Sequence, residues 1–445
     1  MKRFKMFTIT ALVFVLMFSA VGCNGKDEKK VDGPKKEEDK VEEKIDLKGE
    51  PVTFVCNWEL PDPATEDGAK VWERKKMVEE KYNTKIVYET VAYDDLVPKF
   101  TQKSLSGEPI GDFVVLLNNW AFPSLVDKGF FQPLDEFIPK DDDRWPKNMR
   151  NVGSYDGKLY GISDYVGGAT GFFYNKDMLK REGLEDPAEL QKKGEWTWDK
   201  FLEICKGVTK DLNGDGKIDQ YGLIGVPANL ANLFIESNNG KITDISSGKP
   251  KLTVAEKNSM DAIKFLSDLY NVHKVVEPTP EGKWPDYNGS FEAGRVAFTH
   301  GEYWEGGQHK KNMTDNYGYV YVPKGPQATD YVVPNTNLSM WFVPKTAKHV
   351  KESIKVFEEW MEFGATEKSF IKSLENDHMV DKDSVDTAIE MSSKIGLCNY
   401  QAYPGLNEKF HEAINKISRG EEAPNTAIEK ILPELQATID AVMKE

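Results

Sequence analysis

The sequence predicts an α/β protein, and three observations support this prediction. From Pro51 onward, apolar runs of strand length alternate with segments of helical periodicity. Strands that alternate with helices along a chain assemble into largely parallel sheets flanked by helices. Hydrophobic residues make up 39% of the 445 residues, which is enough to build sizeable cores. A chain of this length forms two or three domains, or one large unit of two lobes.

The first part of the globular region shows the alternation most clearly. The predicted order is a buried strand (VTFVCNW), a helix (AKVWERKKMVEEKY), a strand (KIVYETV), a helix (DDLVPKFTQKSL) and a third strand (DFVVLL). We therefore expect an α/β domain with a largely parallel sheet at this end of the globular region.

A second set of elements begins near Gly168. Thr197 is placed to cap a helix whose apolar residues recur at helical spacing, and Thr253 and Glu256 have the spacing of a capping box. An amphipathic helix is predicted in HVKESIKVFEEWMEF. A final helix contains Pro433, which predicts a kink or a new helix start.

Residues 1–22 have the features of a signal peptide, with a basic start (MKRFK) followed by an apolar run that ends at Val21. The run is shorter than the roughly 20 residues of a stable membrane span. It ends in AVGC, which resembles the bacterial lipobox, in which the cysteine is lipid-modified and becomes the mature N-terminus. We expect Cys23 to carry the lipid, for example palmitate. Ala20 stands where the lipobox prefers Leu, and the alternative is an ordinary signal peptide with a chance cysteine.

Residues 23–49 combine the lipid-bearing cysteine with a charged tether. The stretch has charges of both signs and no aromatic residue, so it cannot bury enough apolar surface to offset its chain entropy. A lipid, a disordered tether and a globular body together predict a protein held on the extracellular face of the membrane of a Gram-positive-like bacterium.

Composition excludes several kinds of partner and site. The net charge of −15 argues against nucleic acid and against an anionic membrane surface, so we expect membrane contact through the lipid alone. The cysteines after the lipid position, Cys56, Cys205 and Cys398, are far apart in the sequence. They are neither a disulfide framework nor a zinc motif, and we expect small buried hydrophobic side chains.

Several segments follow one another in a familiar order. They are the opening strand ending in NW with NTKIVYETV after it, then DFVVLLNNWAFPSLVDKGFFQPLDEFI, DGKLYGISDYVGGATGFFYNKDMLKREGL, WTWDKF, FEAGRVAFTHGEYW and WFVPKTAKHVKESIKVFEEWM. In these segments, from Pro51 to about Met361, the chain resembles the family 1 extracellular solute-binding proteins. These are the carbohydrate receptors of bacterial ABC importers.

The resemblance implies a two-lobed periplasmic-binding-protein-like fold of class II. Each lobe would be a mostly parallel sheet flanked by helices, with hinge crossovers between the lobes. The implied lobe boundaries are 50–165 plus 290–345 for lobe one and 166–289 plus 346–445 for lobe two. The ligand would be a carbohydrate held in the cleft, and the closed form would dock on the permease subunits of an ABC transporter. The protein itself would perform no chemistry.

A sugar receptor needs flat aromatic surfaces for the sugar faces and polar groups for the hydroxyls. In α/β folds these groups follow the carboxyl ends of sheet strands, and the chain has ten Trp and seventeen Tyr. The abundance of Trp favours an oligosaccharide. The expected substrate-binding residues are Asn57, Trp58, Glu59, Asn118, Asn119, Trp120, Tyr165, Glu236, Asn238, Trp284, Glu302, Tyr303, Trp304, Asn335, Asn337 and Trp341.

Some of these residues have a structural alternative. Trp58, Trp120 and Trp304 have polar, loop-like flanks, and we expect them to stack on sugar rings. Trp341 flanks an apolar strand, so a core position is its alternative. The asparagines can also serve as caps or turn formers. Trp72, like the tryptophans on other helix stripes, is assigned to the core.

The stretch DLNGDGKIDQYGL has the spacing of a calcium loop. Calcium takes six to eight oxygens, and Gly216 stands where the chain must turn sharply. Position 12 is Gly222 rather than a bidentate Glu, so the loop is no complete EF-hand and resembles the shorter DxNxDGxxD loop. We expect a structural Ca²⁺ in lobe two; the alternative is a turn without an ion. The expected ligands are Asp211, Asn213, Asp215, the Lys217 carbonyl and Asp219.

Two other functions stay open at this point. A secreted carbohydrate-active enzyme would use paired carboxylates, and acidic pairs such as Asp94 with Asp95 are plentiful. The sequence has no GxSxG, HExxH or P-loop motif, which disfavours this class. The other is a receptor for a non-sugar solute such as a peptide or a metal complex.

Overall fold

Two mixed β-sheets covered by helices organise the chain. The computed structural model describes residues 45–142, 144–146, 148–163, 168–244, 250–280, 282–334, 337–362, 366–395, 400–403 and 405–442. The signal peptide, Cys23, most of the tether and Cys398 lie outside the described residues. Within the described part, no helix combines the length and the apolar character needed to cross a membrane.

The strands and helices alternate as expected at the start of the globular region and then become helix-rich. The strands are β1 (Pro51–Cys56), β2 (Lys85–Thr90), β3 (Phe113–Leu117), β4 (Ser154–Tyr155), β5 (Lys158–Leu159), β6 (Gly161–Ile162), β7 (Thr170–Asn175), β8 (Tyr221–Ile224), β9 (Thr243–Asp244), β10 (Lys251–Leu252), β11 (Val296–Glu302), β12 (Tyr317–Val320) and β13 (Ser339–Phe342). The helices are α1 (Glu66–Tyr82), α2 (Leu96–Ser106), α3 (Asn118–Trp120), α4 (Met149–Gly153), α5 (Lys176–Arg181), α6 (Pro187–Lys192), α7 (Trp198–Val208), α8 (Pro227–Ser237), α9 (Lys257–Asn271), α10 (Tyr287–Glu292), α11 (Gly306–Asn312), α12 (Val350–Trp360), α13 (Thr366–Ser373), α14 (Lys382–Ser392), α15 (Leu406–Ser418) and α16 (Pro424–Val442).

The first sheet has the order β2-β1-β3-β13-β6. Strands β1, β2 and β3 run parallel, as the sequence predicts, while β13 is antiparallel to both β3 and β6. The central strand β3 is buried along most of its length. Since β1, β2 and β3 are parallel, their carboxyl ends lie at one edge.

The second sheet has the order β12-β7-β11-β8 and is less parallel than expected. Strand β7 is antiparallel to both β12 and β11, and β11 pairs in parallel with β8. Strand β7 is the first strand of the second sheet in chain order. Because it is antiparallel to β11, Thr170 at the start of β7 lies opposite Glu302 at the end of β11. The edge of the second sheet therefore combines the end of β11 with the beginning of β7.

The lobe boundaries differ from those implied by the resemblance. Strands β11 and β12 lie in the second sheet, and the chain returns to the first sheet at β13. Helix α12 then packs on the first sheet, where the Phe357 ring centroid lies 5.0 Å from Phe113 and 6.2 Å from Phe54. Helix α14 returns to the second sheet, where Tyr319 N donates to Ser384 Oγ at 2.9 Å. The apolar stripe of α12 does not reveal which sheet it covers, because either sheet offers an apolar face.

The predicted helix signals have different outcomes. Thr197 caps α7 as expected, since its hydroxyl accepts from Lys200 N at 3.4 Å. The capping box at Thr253 does not form, because α9 begins at Lys257 and the Thr253 hydroxyl donates to the Lys241 carbonyl at 2.9 Å. Pro433 lies inside the continuous helix α16.

Replacing Phe357 by Ala tests the assignment of α12 to the first sheet. The fully buried ring contacts several aromatic rings there, so we expect the free energy of unfolding to fall by about 3–5 kcal/mol. Urea unfolding measures the change. Leu105→Ala, at a side chain 72% exposed on α2, is the control and should change stability by less than about 0.5 kcal/mol. Equal effects of the two variants would contradict the packing described.

Candidate functional site

An aromatic group stands at the carboxyl edge of the first sheet. Trp58 follows β1, is 41% exposed, and has its ring edge-on to Trp341 at 5.7 Å. Trp120 follows β3, and its ring lies 4.9 Å from that of Tyr93, which follows β2. Parallel strands thus bring residues from three separate stretches of sequence to one edge.

A cluster of amides lies beside this aromatic group. Asn118 N donates to the Leu338 carbonyl at 2.9 Å, and Asn118 Oδ1 accepts from Leu338 N at 3.2 Å. Asn119 Nδ2 donates to the Gln401 carbonyl at 3.4 Å, and Asn337 Nδ2 donates to Gln401 Oε1. Residues from three separate parts of the chain meet in this amide cluster.

Two atoms of the amide cluster have unused hydrogen-bonding capacity. Asn118 Nδ2 and Asn119 Oδ1 are buried and have no hydrogen-bond partner among the described residues. Buried polar atoms normally have a partner, because leaving one unpaired costs about 1–3 kcal/mol. A hydroxyl both donates and accepts, so a sugar hydroxyl can satisfy a neighbouring amide donor and acceptor together.

The second sheet contributes a carboxylate and an exposed indole. Glu302 ends β11, and Trp304 Nε1 donates to Glu302 Oε2 at 2.8 Å. The Trp304 side chain is 54% exposed. A carboxylate fixed beside an exposed indole offers a hydrogen-bond acceptor next to an apolar surface, which is the combination that a sugar ring requires.

Gly168 brings the two edges together. It has a φ of +104°, and a Cβ at this position would lie 2.8 Å from Glu302 Oε2 and 3.2 Å from Leu338 Cδ2. Any side chain would push these residues apart, so glycine is required here. Glu302 from the second sheet therefore lies next to Leu338, which is bonded to Asn118 of the first sheet.

Buried polar residues support the second-sheet edge from below. Glu305 accepts from Asn288 Nδ2 at 3.0 Å and from Glu302 N at 2.9 Å. Burial raises the pKa of the Glu305 carboxyl. The Tyr303 ring packs edge-on to His378 at 5.5 Å, so its side chain contacts the protein interior.

His300 is a second buried support at this edge. Its Nε2 accepts from Val226 N at 3.3 Å, just beyond the end of β8, and its ring stacks on Tyr287 at 5.1 Å. Burial lowers the pKa of His300 to about 4. The neutral ring is therefore the form that holds the backbone after β8 in place.

Other expected residues have structural contacts. Trp341 is 5% exposed and packs edge-on to Phe54 at 5.3 Å, which is the core alternative. Asn238 donates to the Asn258 carbonyl and accepts from Gln327 N, both at 2.9 Å, so its amide holds the first turn of α9 and the loop that follows β12.

The remaining expected residues are placed as follows. Asn57 and Glu59 are exposed beside Trp58, and Glu236 is buried on α8. Trp284 lines a separate cavity of the second lobe. Tyr165 and Asn335 lie outside the described residues.

The expected calcium loop lies between α7 and β8. The Asp211 carboxylate accepts the backbone N–H groups of Gly214 at 2.6 Å and Gly216 at 2.8 Å, and these bonds, Gly216 first, lower its pKa. Asp219 Oδ2 accepts from Leu212 N at 2.9 Å. Among the described residues, no group of three or more His, Cys, Asp or Glu side chains is arranged to hold a metal ion.

Residues 63–369 match the family model of the bacterial extracellular solute-binding proteins. The chain belongs to this family. The family membership that the order of the sequence segments indicated is therefore confirmed. The expectation of a solute-binding protein rather than an enzyme is confirmed as well.

Comparison with individual proteins agrees with this family. The chain is 25% identical to the arabinooligosaccharide-binding protein of Halalkalibacterium halodurans over 250 residues, which are 54% of this chain and 52% of that relative. The matched region spans about half the length of that curated relative.

Solved structures of solute-binding proteins share the fold. The Listeria monocytogenes ABC substrate-binding protein in complex with cycloalternan superposes with a TM-score of 0.63 at 20% identity, covering 89% of this chain and 98% of that one. The Mycobacterium tuberculosis protein UgpB in complex with glycerophosphocholine has a TM-score of 0.67 at 16% identity and covers 88% and 99%. The two-lobed α/β architecture is thus shown.

The role of His300 predicts a pH dependence of stability. The unfolded chain binds a proton at this position below its usual pKa of 6.5, whereas the folded protein does so near 4. Stability should therefore fall as the pH drops from 6.5 to 4, by about 3 kcal/mol from this residue. Urea unfolding across this range should show a smaller pH slope for His300→Gln than for the unmodified chain.

His349→Asn is the matched control. His349 is exposed and has a left-handed backbone with a φ of 52°, which Asn tolerates. Its replacement should change the pH slope less than His300→Gln does. A slope in His300→Gln as steep as in the unmodified chain would contradict the buried neutral form.

Proposed function

We propose that the chain is the extracellular receptor of a carbohydrate ABC importer and that it holds an oligosaccharide between its two lobes. One observation carries this proposal: the first-sheet edge with Trp58 and Asn118 adjoins the second-sheet edge with Glu302 and Trp304, through Leu338. A ligand placed there touches both lobes.

The chemistry of these edges suits a sugar better than an apolar or highly charged solute. Exposed indoles on Trp58 and Trp304 offer flat apolar surfaces to the C–H faces of sugar rings. The amide cluster and Glu302 offer donors and acceptors for hydroxyls. Several separated platforms suit an oligosaccharide, and the arabinooligosaccharide-binding relative supports this class. Arabino-oligosaccharides are therefore the first ligands to test.

Transport would work by closure of the lobes. The chain changes from one sheet to the other between β6 and β7, between β12 and β13, and between α12 and α14, and in this proposal the lobes rotate about these connections. A ligand that contacts both lobes favours the closed arrangement by its differential affinity. The closed form then docks on the permease subunits. In this proposal a lipid on Cys23 keeps the receptor at the extracellular face of the membrane.

The loop Asp211–Asp219 is proposed as a structural calcium site of the second lobe. The spacing of its oxygen-bearing residues supports this role, and its place between α7 and β8 keeps it apart from Glu302 and Trp304. The ion would stiffen the loop without contacting the sugar.

Removing the three indoles tests the carbohydrate site. In Trp58→Ala/Trp120→Ala/Trp304→Ala, we expect affinity for an arabino-oligosaccharide to fall at least about 100-fold, since each lost ring contact is worth about 1 kcal/mol or more. Isothermal titration calorimetry measures the affinity. Trp72→Ala is the matched control. Its core assignment is wrong, because Trp72 is 40% exposed and its Nε1 donates to the Pro61 carbonyl on the first lobe.

The control should bind as the unmodified chain does. Unchanged affinity in the triple variant would refute the stacking role. A peptide or a glycerophosphodiester that binds more tightly than every oligosaccharide tested would refute the carbohydrate assignment.

Calcium removal separates the structural role from ligand binding. With a chelator we expect Tm to fall, because calcium at a free concentration of 100 times its Kd adds about 2.7 kcal/mol to the free energy of unfolding. Sugar affinity at low temperature should stay constant. Asp211→Asn/Asp215→Asn should abolish the calcium effect on Tm, and Asp386→Asn on α14 should not. If neither calcium nor chelator changes the Tm, the proposed calcium site is refuted.

A further inference from the structure

A cavity of about 580 Å³ lies within the second lobe, and its described lining includes none of Glu302, Trp304 or the first-sheet edge residues. Its walls are the end of α9, helix α15, the region around β8 and the described residues of 274–280 and 282–285. That segment adds to the sheet beyond β8, since Gly222 N donates to the Val275 carbonyl at 2.9 Å and Glu277 N to the Leu223 carbonyl at 2.8 Å. The volume is within the range of about 300–1,000 Å³ that is usual for small-molecule sites.

The walls are fixed by bonds that need no ligand. Asn271 Nδ2 at the end of α9 donates to the Ile417 carbonyl of α15 at 2.9 Å. Between the lining residues Val276 and Pro278, Glu277 Oε1 accepts from Arg295 Nε at 3.1 Å. The cavity is therefore formed by the fold itself.

The lining combines aromatic and polar surface. Trp284 lines the cavity with a side chain that is 68% exposed, and Tyr221 and Tyr270 line it as well. Asn415 and Ser418 on α15 supply hydrogen-bonding groups. An exposed indole beside amide and hydroxyl groups suits a ring with apolar faces and hydroxyls.

The described lining residues carry a net positive charge, in contrast to the protein as a whole. Lys274, Lys283 and Arg419 line the cavity, and its described lining residues include no Asp or Glu, although the chain has a net charge of −15. Arg419 is paired with Glu421, with an Nη2–Oε2 distance of 2.9 Å. No described residue forms an ion pair with Lys274 or Lys283. The two lysines therefore leave positive charge for a ligand to neutralise.

We infer that this cavity is a second ligand site and that it takes a sugar acid, a pyranose ring carrying a carboxylate. The carboxylate pairs with Lys274 and Lys283, and the ring lies on Trp284. Of the residues expected to bind the transported sugar, Trp284 alone is among the described residues that line the cavity. The inference therefore does not depend on the function proposed for the sheet edges.

Calorimetry of the full chain with three probes tests the inference. D-glucuronate should bind, D-glucose should bind at least about tenfold more weakly because it lacks the charge, and inorganic phosphate should be weaker than glucuronate because it lacks the ring. Lys274→Gln and Lys283→Gln should each weaken glucuronate about twofold to fivefold. Trp284→Ala should weaken it further. Lys76→Gln, at a lysine 77% exposed on α1, should have no effect.

A cleft variant distinguishes the two sites. Trp58→Ala/Trp304→Ala should keep its glucuronate affinity, and Lys274→Gln/Lys283→Gln should keep its affinity for neutral oligosaccharide. Three results would each overturn the inference. Glucose or phosphate could bind as tightly as glucuronate. Alternatively, glucuronate affinity could fall in the cleft variant and stay unchanged in the lysine variants. Absence of glucuronate binding at millimolar concentration would overturn it as well.

Discussion

The paired hydrogen bonds between Asn118 and Leu338 are the constraint on which the candidate site depends. They tie the carboxyl end of β3 to the strand that returns from the second sheet. Gly168, just before β7 on another connection between the sheets, packs against the same Leu338 side chain and against Glu302. This junction thus positions the amide cluster, the Glu302 carboxylate and the indoles of Trp58 and Trp304 relative to one another. It lies next to the segments that must act as hinges.

The two edges differ in how they are supported. The first-sheet edge is supported by an apolar core. In this core Trp341 contacts Trp58, and Phe357 packs against Phe54 of β1 and Phe113 of β3. The second-sheet edge stands on buried polar residues, Glu305 and His300, which accept backbone N–H groups of the strand ends. Such groups fix the backbone in one arrangement but cost stability when their protonation state changes. Sensitivity to pH is therefore expected to concentrate in the second lobe.

Periodicity was sufficient to predict the first three strands, the helices between them and the cap at Thr197, because local burial and capping determine these elements. Pairing direction in the second sheet and the partner of α12 depend on contacts distant in sequence, and the apolar pattern does not encode them. The rule that binding residues follow strand ends correctly predicted that Trp58, Asn118 and Glu302 lie at the sheet edges. It did not find Gln401, because Gln401 follows no strand. Gly168 was a usable signal, since a required glycine marks a close approach.

The central claim is that a carbohydrate contacts both lobes and closes them, and small-angle X-ray scattering tests it most directly. The radius of gyration of the full chain should decrease when a saturating arabino-oligosaccharide is added and should return to its starting value when the sugar is removed. A radius of gyration that stays constant while calorimetry shows the sugar bound would contradict the account.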